Sequence, residues 1–350
     1  MFGFYILDAR NSGGEKMAGK DDTYLPRIVV AGVGGAGCNT VNRLAHVGVK
    51  GAELIAFNTD RKHLNVISES AKKVILGESV TRGLGAGGYP EVALKAAEMS
   101  RGEIESVLEG TDLMFLSAGM GGGTGTGAAP VIADVARKQG AIVIAIVTYP
   151  FLLERARLKR AEEGIENLRR FVDTIVVIDN NRLVEFVPNL PIEQAFNIAD
   201  EITTRAVRGI TETITTPSLI NLDFSDVKTV MSNGGISMIA VGEAKGSQRA
   251  KDLVSNTLHH KLLDVDYRGA TGILLHITGS ADMTLGEANQ AGEDITAEVD
   301  PNANVIWGAR LDPTFDNKLE AFAIFTGIKA PYIVGRRPEK EKFEFSLEGV

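Results

Sequence analysis

Short apolar runs alternate with helical stretches along the chain from Arg27 onward. This alternation is typical of a parallel sheet covered by helices. Each of the main runs is followed by a loop rich in Gly, Asn or Pro, and such loops gather at the carboxyl edge of a parallel sheet, where ligands bind. The predicted strands are residues 28–31, 53–58, 112–118, 141–148 and 174–178.

The pattern changes in the second half of the chain. A long helical stretch, 192–212, ends at a β-branched run before Pro217, where continuation is costly. Strands at 236–241, 272–277, 304–308 and 321–326, with helices near 248–262 and 284–297, then predict a separate α+β domain. The fold class is therefore α/β, with a Rossmann-like parallel-sheet domain, a long central helix and a smaller C-terminal domain. The expected divisions are an extension 1–25, the first domain 26–213, a linker 214–234, the second domain 235–330 and a charged tail 331–350.

Composition narrows the class of protein. The 350 residues are 44% hydrophobic and 23% charged, close to the globular average. The net charge of −8 argues against a broad nucleic-acid footprint, and a single cysteine excludes a disulfide framework and fits a reducing, cytosolic compartment. No apolar run reaches the roughly 18 residues needed to span a bilayer. The 39 glycines are unusually many, and they cluster in loops.

The first glycine cluster runs from Gly32 to Gly37, between a predicted strand and a predicted helix. It satisfies G-x-G-x-x-G in the setting where bare amides and the helix dipole attract phosphate. Taken alone, the cluster fits an NAD site, another nucleotide site or a structural turn. Asp60 follows the second strand at about the spacing of the acidic residue that contacts the ribose in NAD-binding proteins, so an NAD-dependent dehydrogenase remains an alternative.

The second glycine cluster is more specific. In residues 119–127, eight of nine positions are Gly or Thr, so successive N–H groups can face an anion. It is not a Walker A loop, because no Lys-Ser or Lys-Thr follows it. The negative charge of a phosphate would therefore have to be offset by backbone amides, the helix dipole and a metal ion rather than by a loop lysine. A dinucleotide dehydrogenase does not need this second loop. Residues 83–88 form a further glycine loop that could cap a terminal phosphate.

Two groups of side chains remain after the glycine loops. Phe196 and Asp200 are spaced i, i+4 on the long helix and therefore lie on one face. The ring could stack on a base, and the carboxylate could accept hydrogen bonds from guanine N1–H and N2–H₂. The alternative is that Phe196 is a core residue and Asp200 a solvent-exposed acid. Asn221, Asp223 and Asp226 could orient water or hold a metal, or could form a helix N-cap. Helix length separates the two groups by about 20 Å or more, so one subunit is not expected to bring them together.

These motifs together resemble the FtsZ family of the tubulin/FtsZ superfamily, in an archaeal-like variant. The run at 121–127 is highly specific, and the resemblance covers residues 27 to 330. It implies that Asn221, Asp223 and Asp226 act on the neighbouring subunit's nucleotide. Where the family has Pro-Phe-x-x-Glu-Gly-x-x-Arg, this chain departs after Glu154, so Arg157 is the matching arginine, with Arg155 as the alternative. The nucleotide contacts implied by the resemblance are Gly34, Gly35, Ala36, Gly37, Cys38, Asn39, Asn58, Gly85, Ala86, Gly87, Gly88, Gly121, Gly122, Gly123, Thr124, Gly125, Thr126, Gly127, Glu154, Arg157, Asn180, Phe196 and Asp200.

The resemblance also implies a function: a cytoskeletal GTPase that polymerises head to tail, at the division site in the cytoplasm. The expected cofactors are GTP or GDP and Mg²⁺, the latter held mainly by phosphates and water. The expected partners are further copies of the chain and membrane-tethering adaptor proteins that bind the C-terminal tail, although the family's typical adaptor-binding peptide is not evident. An NAD-dependent oxidoreductase and a non-hydrolysing tubulin-like regulator are the alternatives.

Overall fold

The computed structural model describes residues 25–182, 189–215, 219–220, 223–232, 234–258 and 267–328. The expected tail 331–350 and, apart from residue 25, the expected extension lie outside these ranges. The strands are β1 (Ile28–Val33), β2 (Ala52–Asn58), β3 (Lys72–Ile75), β4 (Leu113–Gly119), β5 (Ile142–Tyr149), β6 (Thr174–Asp179), β7 (Gly235–Ile236), β8 (Met238–Lys245), β9 (Gly272–Gly279), β10 (Asn304–Leu311) and β11 (Lys318–Thr326). The helices are α1 (Gly34–Val47), α2 (Arg61–Asn65), α3 (Glu78–Thr81), α4 (Pro90–Met99), α5 (Arg101–Leu108), α6 (Thr124–Lys138), α7 (Arg155–Leu168), α8 (Ile192–Thr215), α9 (Phe224–Met231), α10 (Arg249–Leu258) and α11 (Leu285–Ile295), with a 3₁₀ turn at Leu152–Glu154.

The first domain is built on a seven-stranded sheet in the order β3-β2-β1-β4-β5-β6-β7. All of its pairings are parallel. Both faces are covered, which is why the central strands read as continuous apolar runs. Alternate residues of β1 show this directly, because Val29 and Ala31 belong to one hydrophobic cluster while Ile28 and Val30 belong to the other.

The second domain has a four-stranded sheet in the order β10-β9-β11-β8. Strands β9 and β10 are parallel, and β11 is antiparallel to both β9 and β8. One face packs against α10 and α11 through Leu253 and Ile295. The other face meets α8, since Ile210 shares a hydrophobic cluster with Ile324. The predicted α/β domain with a long helix and a smaller α+β domain is confirmed.

The structure differs from the predicted strands and from the predicted end of the long helix in three places. Strand β3 was not predicted, because it is a short edge strand that begins with two lysines. The predicted strand 236–241 is two strands: Gly235–Ile236 pairs with β6 in the large sheet, and Met238 starts a strand of the small sheet. Helix α8 continues to Thr215 and so runs further into the β-branched segment than expected.

Two of the helices begin inside the glycine clusters rather than after them. Helix α1 starts at Gly34 and α6 at Thr124, so the glycines form the first helical turns. Within the described ranges, no helix combines the length and the apolar character needed to cross a membrane.

Candidate functional site

A cavity of about 510 Å³ opens at the carboxyl ends of the central strands of the large sheet. Nine expected site residues line it: Gly35, Ala36, Gly122, Gly123, Thr124, Gly125, Glu154, Arg157 and Asn180. Five further lining residues were not among the predicted nucleotide contacts, although Gly119 and Met120 belong to the second glycine cluster: Gly119, Met120, Thr148, Pro150 and Phe151. The missed residues directly follow or end β4 and β5, so their position at the carboxyl edge of the sheet was the signal that could have identified them.

The first glycine loop is packed against the second. Gly34 has a φ of 73°, and a Cβ there would lie 2.7 Å from the amide nitrogen of Gly125. A Cβ on Gly37 would lie 2.1 Å from the carbonyl oxygen of Ser117. Gly35, in contrast, has open space at its Cβ position and lines the cavity. The cluster therefore combines close backbone packing with one bare backbone surface that faces the cavity.

Cys38 follows this loop, and its side chain is in the core. The thiol lies 3.5 Å from the carbonyl oxygen of Phe57 and is fully buried. Burial raises the pKa of the Cys38 thiol to about 12. Its side chain is therefore inert, and a contact with a ligand would have to come from its backbone.

The second glycine loop is fixed by a hydrogen bond to one of its own side chains and by close backbone packing. The amide of Gly121, with a φ of 88°, donates to the hydroxyl of Thr126 at 2.9 Å. A Cβ on Gly125 would lie 2.4 Å from the carbonyl oxygen of Gly119, and a Cβ on Gly127 would lie 2.0 Å from that of Pro90 in α4. Gly122 has open space at the same position. Its backbone is thus left accessible to a ligand.

Helices α1 and α6 both start at this cavity. Neither has a side-chain hydrogen bond at its N-cap, and neither has an acidic residue in its first turn. The first N–H groups of a helix lack intrahelical partners and carry the positive end of the helix dipole. The site therefore offers two uncapped helix N-termini to an anion.

The third glycine loop, Gly85 to Gly88, lies beside the second. A Cβ on Gly123 would approach the Ala86 side chain to 2.9 Å and the Gly88 amide nitrogen to 3.2 Å. The loop is fixed because Arg160 donates to the carbonyl oxygen of Gly88 at 2.9 Å. Gly85, Ala86, Gly87 and Gly88 border the second glycine loop and are not among the residues that line the cavity.

Two charged side chains, Glu154 and Arg157, also line the cavity. Arg157 Nη1 lies 2.5 Å from Glu154 Oε2, and the other Glu154 oxygen accepts from the Phe151 amide. Arg157 lines the cavity, whereas Arg155 is not among the lining residues. Asn180 also lines the cavity, and its buried side-chain oxygen has no hydrogen-bond partner among the residues that the structure describes. A buried acceptor of this kind fits a site that a polar ligand completes.

Several other expected nucleotide contacts lie on α1 or on elements beside it. The carboxylate of Asp200 accepts from Thr40 Oγ1 at 3.2 Å. Asn39 and Asn58 are joined by His63, a residue that the sequence analysis did not single out. Phe196 lies on α8 with Asp200, and its side chain is outside the described part of the structure.

Asp223 and Asp226 form a helix N-cap. The carboxylate of Asp223 accepts from the Asp226 amide at 2.8 Å, and that of Asp226 accepts from the Asp223 amide at 3.1 Å. This reciprocal pair starts α9. Neither residue lines the cavity. Asn221 lies outside the described residues.

A second cavity of about 430 Å³ lies between α8 and the small sheet. One ion pair in its lining joins the small sheet to α8, with Arg310 2.9 Å from Glu212. His276 also lines it, and its buried Nε2 atom has no hydrogen-bond partner in the described part of the chain. Burial and the nearby Arg310 lower the pKa of His276 to about 4. The imidazole is therefore neutral at pH 7.

A parallel sheet, two uncapped helix N-termini and three glycine loops are the features of an α/β protein that binds a phosphate-containing ligand such as a nucleotide. Comparison with known families agrees: residues 27–188 match the Tubulin/FtsZ family GTPase domain, and residues 235–329 match the FtsZ family C-terminal domain. The chain belongs to the FtsZ family.

Individual relatives support this assignment. Cell division protein FtsZ 2 of Methanocaldococcus jannaschii is 58% identical over 320 residues, which are 91% of this chain and 84% of that protein. Cell division protein FtsZ 2 of Haloferax volcanii is 51% identical over 90% of this chain and 79% of its own length. A solved structure of an empty FtsZ dimer from M. jannaschii superimposes with a TM-score of 0.82 at 46% identity, over 87% of this chain and 89% of that one. The chain is thus a tubulin-like protein of a cell-division GTPase family.

Proposed function

We propose that this chain binds GTP in the 510 Å³ cavity and hydrolyses it only after a second copy has docked on that face. The triphosphate lies against the two helix N-termini and the bare backbone of Gly35 and Gly122, while the third glycine loop approaches the terminal phosphate. Glu154, Arg157 and Asn180, which also line the cavity, complete the contacts with the nucleotide. Asp200 accepts hydrogen bonds from the guanine base.

One observation carries the proposal: the carboxylates that could activate water lie far from the nucleotide site of their own subunit. Helix α8 continues for 15 residues beyond Asp200, to Thr215, and this is about 22 Å at 1.5 Å per residue. Asp223 and Asp226 follow that end, so they cannot reach a nucleotide in their own subunit. Head-to-tail docking brings them to the cavity of the next copy.

Catalysis is proposed to depend on the position of water. The carboxylates of Asp223 and Asp226 orient and deprotonate the water that attacks the terminal phosphate of the neighbouring subunit's GTP. Mg²⁺ would supply charge neutralisation on the phosphates. Within the described ranges, no group of three or more His, Cys, Asp or Glu side chains is arranged to hold a metal ion.

This arrangement generates filaments. The cavity and the acidic N-cap of α9 are different surfaces, so the contact between copies is heterologous and can repeat without closing. We propose that such filaments form at the division site, and that the tail 331–350 binds membrane-tethering adaptor proteins.

The test measures GTP turnover per subunit as protein concentration rises. Wild type should rise steeply with concentration. Asp223→Asn and Asp226→Asn keep the N-cap hydrogen bonds, because an amide oxygen also accepts, but they remove the carboxylates. Each should bind GTP and assemble yet hydrolyse at least tenfold more slowly, whereas the exposed Asp252→Asn in α10 serves as the matched control.

Mixing experiments test whether the site is shared between subunits. Adding Asp226→Asn subunits to wild type at constant total protein should reduce activity more than dilution does. Strict proportionality, or normal turnover in both Asn variants, would contradict hydrolysis between subunits.

A further inference from the structure

Thr40 connects Asp200 to the core of the large sheet. It lies on α1 and is 3% exposed. Its hydroxyl oxygen is 3.2 Å from Asp200 Oδ1 on α8 and 3.2 Å from the hydroxyl of Ser117 on β4. Ser117 is also buried, at 8% exposure. Three elements that are remote in sequence therefore meet at one hydroxyl.

The direction of these hydrogen bonds follows from the chemistry. An ionised carboxylate only accepts, and a threonine hydroxyl has one proton to donate. Ser117 donates to Thr40, and Thr40 donates to Asp200. The carbonyl oxygen of Ala36, at 3.3 Å, competes for the same proton, but a bond to a charged acceptor is the stronger one.

The hydrogen bond from Thr40 opposes the effect of burial on Asp200. Burial raises the pKa of Asp200, while the bond from Thr40 and the charge of Arg43 on α1 lower it. The distinction matters for recognition, because guanine presents two donors, N1–H and N2–H₂. A protonated carboxyl group would present a donor to one of them.

Thr40 is also close to the phosphate end of the site. Ala36 lines the cavity and lies one helical turn before Thr40 on α1. The same helix thus supplies the uncapped N-terminus at the cavity and the hydroxyl that holds the carboxylate.

We propose that Thr40 is a positioning residue that sets base specificity: held by Ser117, its hydroxyl keeps Asp200 oriented and ionised as the acceptor for the N1–H and N2–H₂ groups of guanine. This inference rests on the proposed role of Asp200 in base recognition. The adenine edge lacks that donor pair, so the loss of Thr40 affects guanine nucleotides selectively.

The experiment compares GDP with ADP on the full chain by equilibrium binding, because diphosphates avoid hydrolysis. Thr40→Val has nearly the same shape and lacks the hydroxyl. It should weaken GDP binding about tenfold and leave ADP binding unchanged, so the GDP-to-ADP preference falls about tenfold. Thr40→Ser should restore the preference. In Thr40→Val, loss of GDP binding on acidification should also begin at a higher pH than in wild type.

Equal weakening of GDP and ADP, or an unchanged preference, would overturn the inference, because a purely structural role affects both nucleotides alike. Ser117→Ala gives a second measurement if Thr40→Val does not fold, and it should lower the preference two- to threefold; an unchanged preference there also overturns the inference.

Asp200→Asn separates this inference from the proposed function. If Asp200→Asn keeps the wild-type preference for GDP, base recognition by Asp200 itself is wrong. If Asp200→Asn loses the preference and Thr40→Val keeps it, only the role of Thr40 is wrong.

Discussion

The Nε2 atom of His63 lies 3.1 Å from the side-chain oxygen of Asn39. On the other side of the ring, Nδ1 lies 3.0 Å from Nδ2 of Asn58. The Asn58 oxygen accepts from the amide of Asp60 at 3.2 Å, which fixes the orientation of that side-chain amide. Nδ1 of His63 must therefore accept, so Nε2 carries the proton and donates to Asn39. The Nδ2 donors of Asn39 are left for another acceptor.

His63→Ala should weaken GDP binding about five- to tenfold, because both asparagines lose the partner that orients them. His63→Gln has a donor and an acceptor and should retain most of the affinity. Titration with a fluorescent guanine nucleotide measures the effect, and Lys62→Ala in the same short helix is the control. An unchanged dissociation constant in His63→Ala would show that the bridge does not serve the nucleotide.

Two glycines of the second loop should respond differently to alanine. At Gly125 a methyl group would lie 2.4 Å from the carbonyl oxygen of Gly119, so Gly125→Ala should lower the free energy of unfolding by about 1–3 kcal/mol. At Gly122 the same position is open and faces the cavity. Gly122→Ala should keep the wild-type Tm but weaken nucleotide binding about tenfold.

Gly102→Ala is the control for both variants, because it adds a methyl group to the exposed surface of α5. It should stabilise the protein by about 0.5–1 kcal/mol and leave binding unchanged. Thermal unfolding and nucleotide titration of all three variants separate packing from binding. If Gly125→Ala and Gly122→Ala behaved alike, the division of the loop into packed and open positions would be incorrect.

His276 should make stability depend on pH. Its pKa is about 4 in the folded protein and about 6.5 in the unfolded chain, so the unfolded state binds more protons between these values. Stability is therefore lost as pH falls from about 6.5 to 4, by about 3 kcal/mol from this residue. Urea unfolding at several pH values should show a shallower dependence in His276→Asn. His46→Asn, which removes an exposed imidazole, controls for the substitution, and equal slopes in wild type and His276→Asn would contradict the assignment.

The buried Arg249 on α10 forms ion pairs that join α10 to α11 and to the segment after β9 in the second domain. It is 4% exposed and contacts Glu287 at 2.8 Å and Asp282 at 3.0 Å. The pKa of Glu287 falls to about 2, chiefly because of its hydrogen bond with Arg249. Arg249→Met should cost about 2 kcal/mol or more, since it leaves these polar groups without their partner. The exposed Lys251→Met on the same helix is the matched control in denaturant unfolding, and equal effects of the two changes would show that the buried cluster adds no stability.

The sequence predicted the strands that are buried on both faces, because burial leaves a continuous apolar run, as in 141–148. It failed at β3, where an edge position tolerates Lys72 and Lys73. It also joined β7 to β8, because hydrophobicity alone does not reveal that a chain passes from one sheet to another.

The second glycine loop was predictable from the sequence, because a run with eight Gly or Thr residues in nine is rarely needed except where the backbone approaches a ligand closely. The positioning residues were not. Thr40 and Asp200 are 160 residues apart, and their contact exists only after α1 and α8 have packed. Likewise, the sequence allowed Asp223 and Asp226 to be either a helix cap or catalytic acids, and the structure shows the cap, in which one oxygen of each carboxylate accepts a backbone hydrogen bond.

Only Ser237 separates β7, which pairs with β6, from β8, and its amide is bonded to the Ile175 carbonyl oxygen at 3.0 Å. At its far end β6 leads directly into Asn180 on the cavity wall. The connection between the two domains is therefore hydrogen-bonded to the large sheet and is not a free linker. A displacement of the small domain would therefore act directly on β6, the strand that ends next to Asn180 of the cavity.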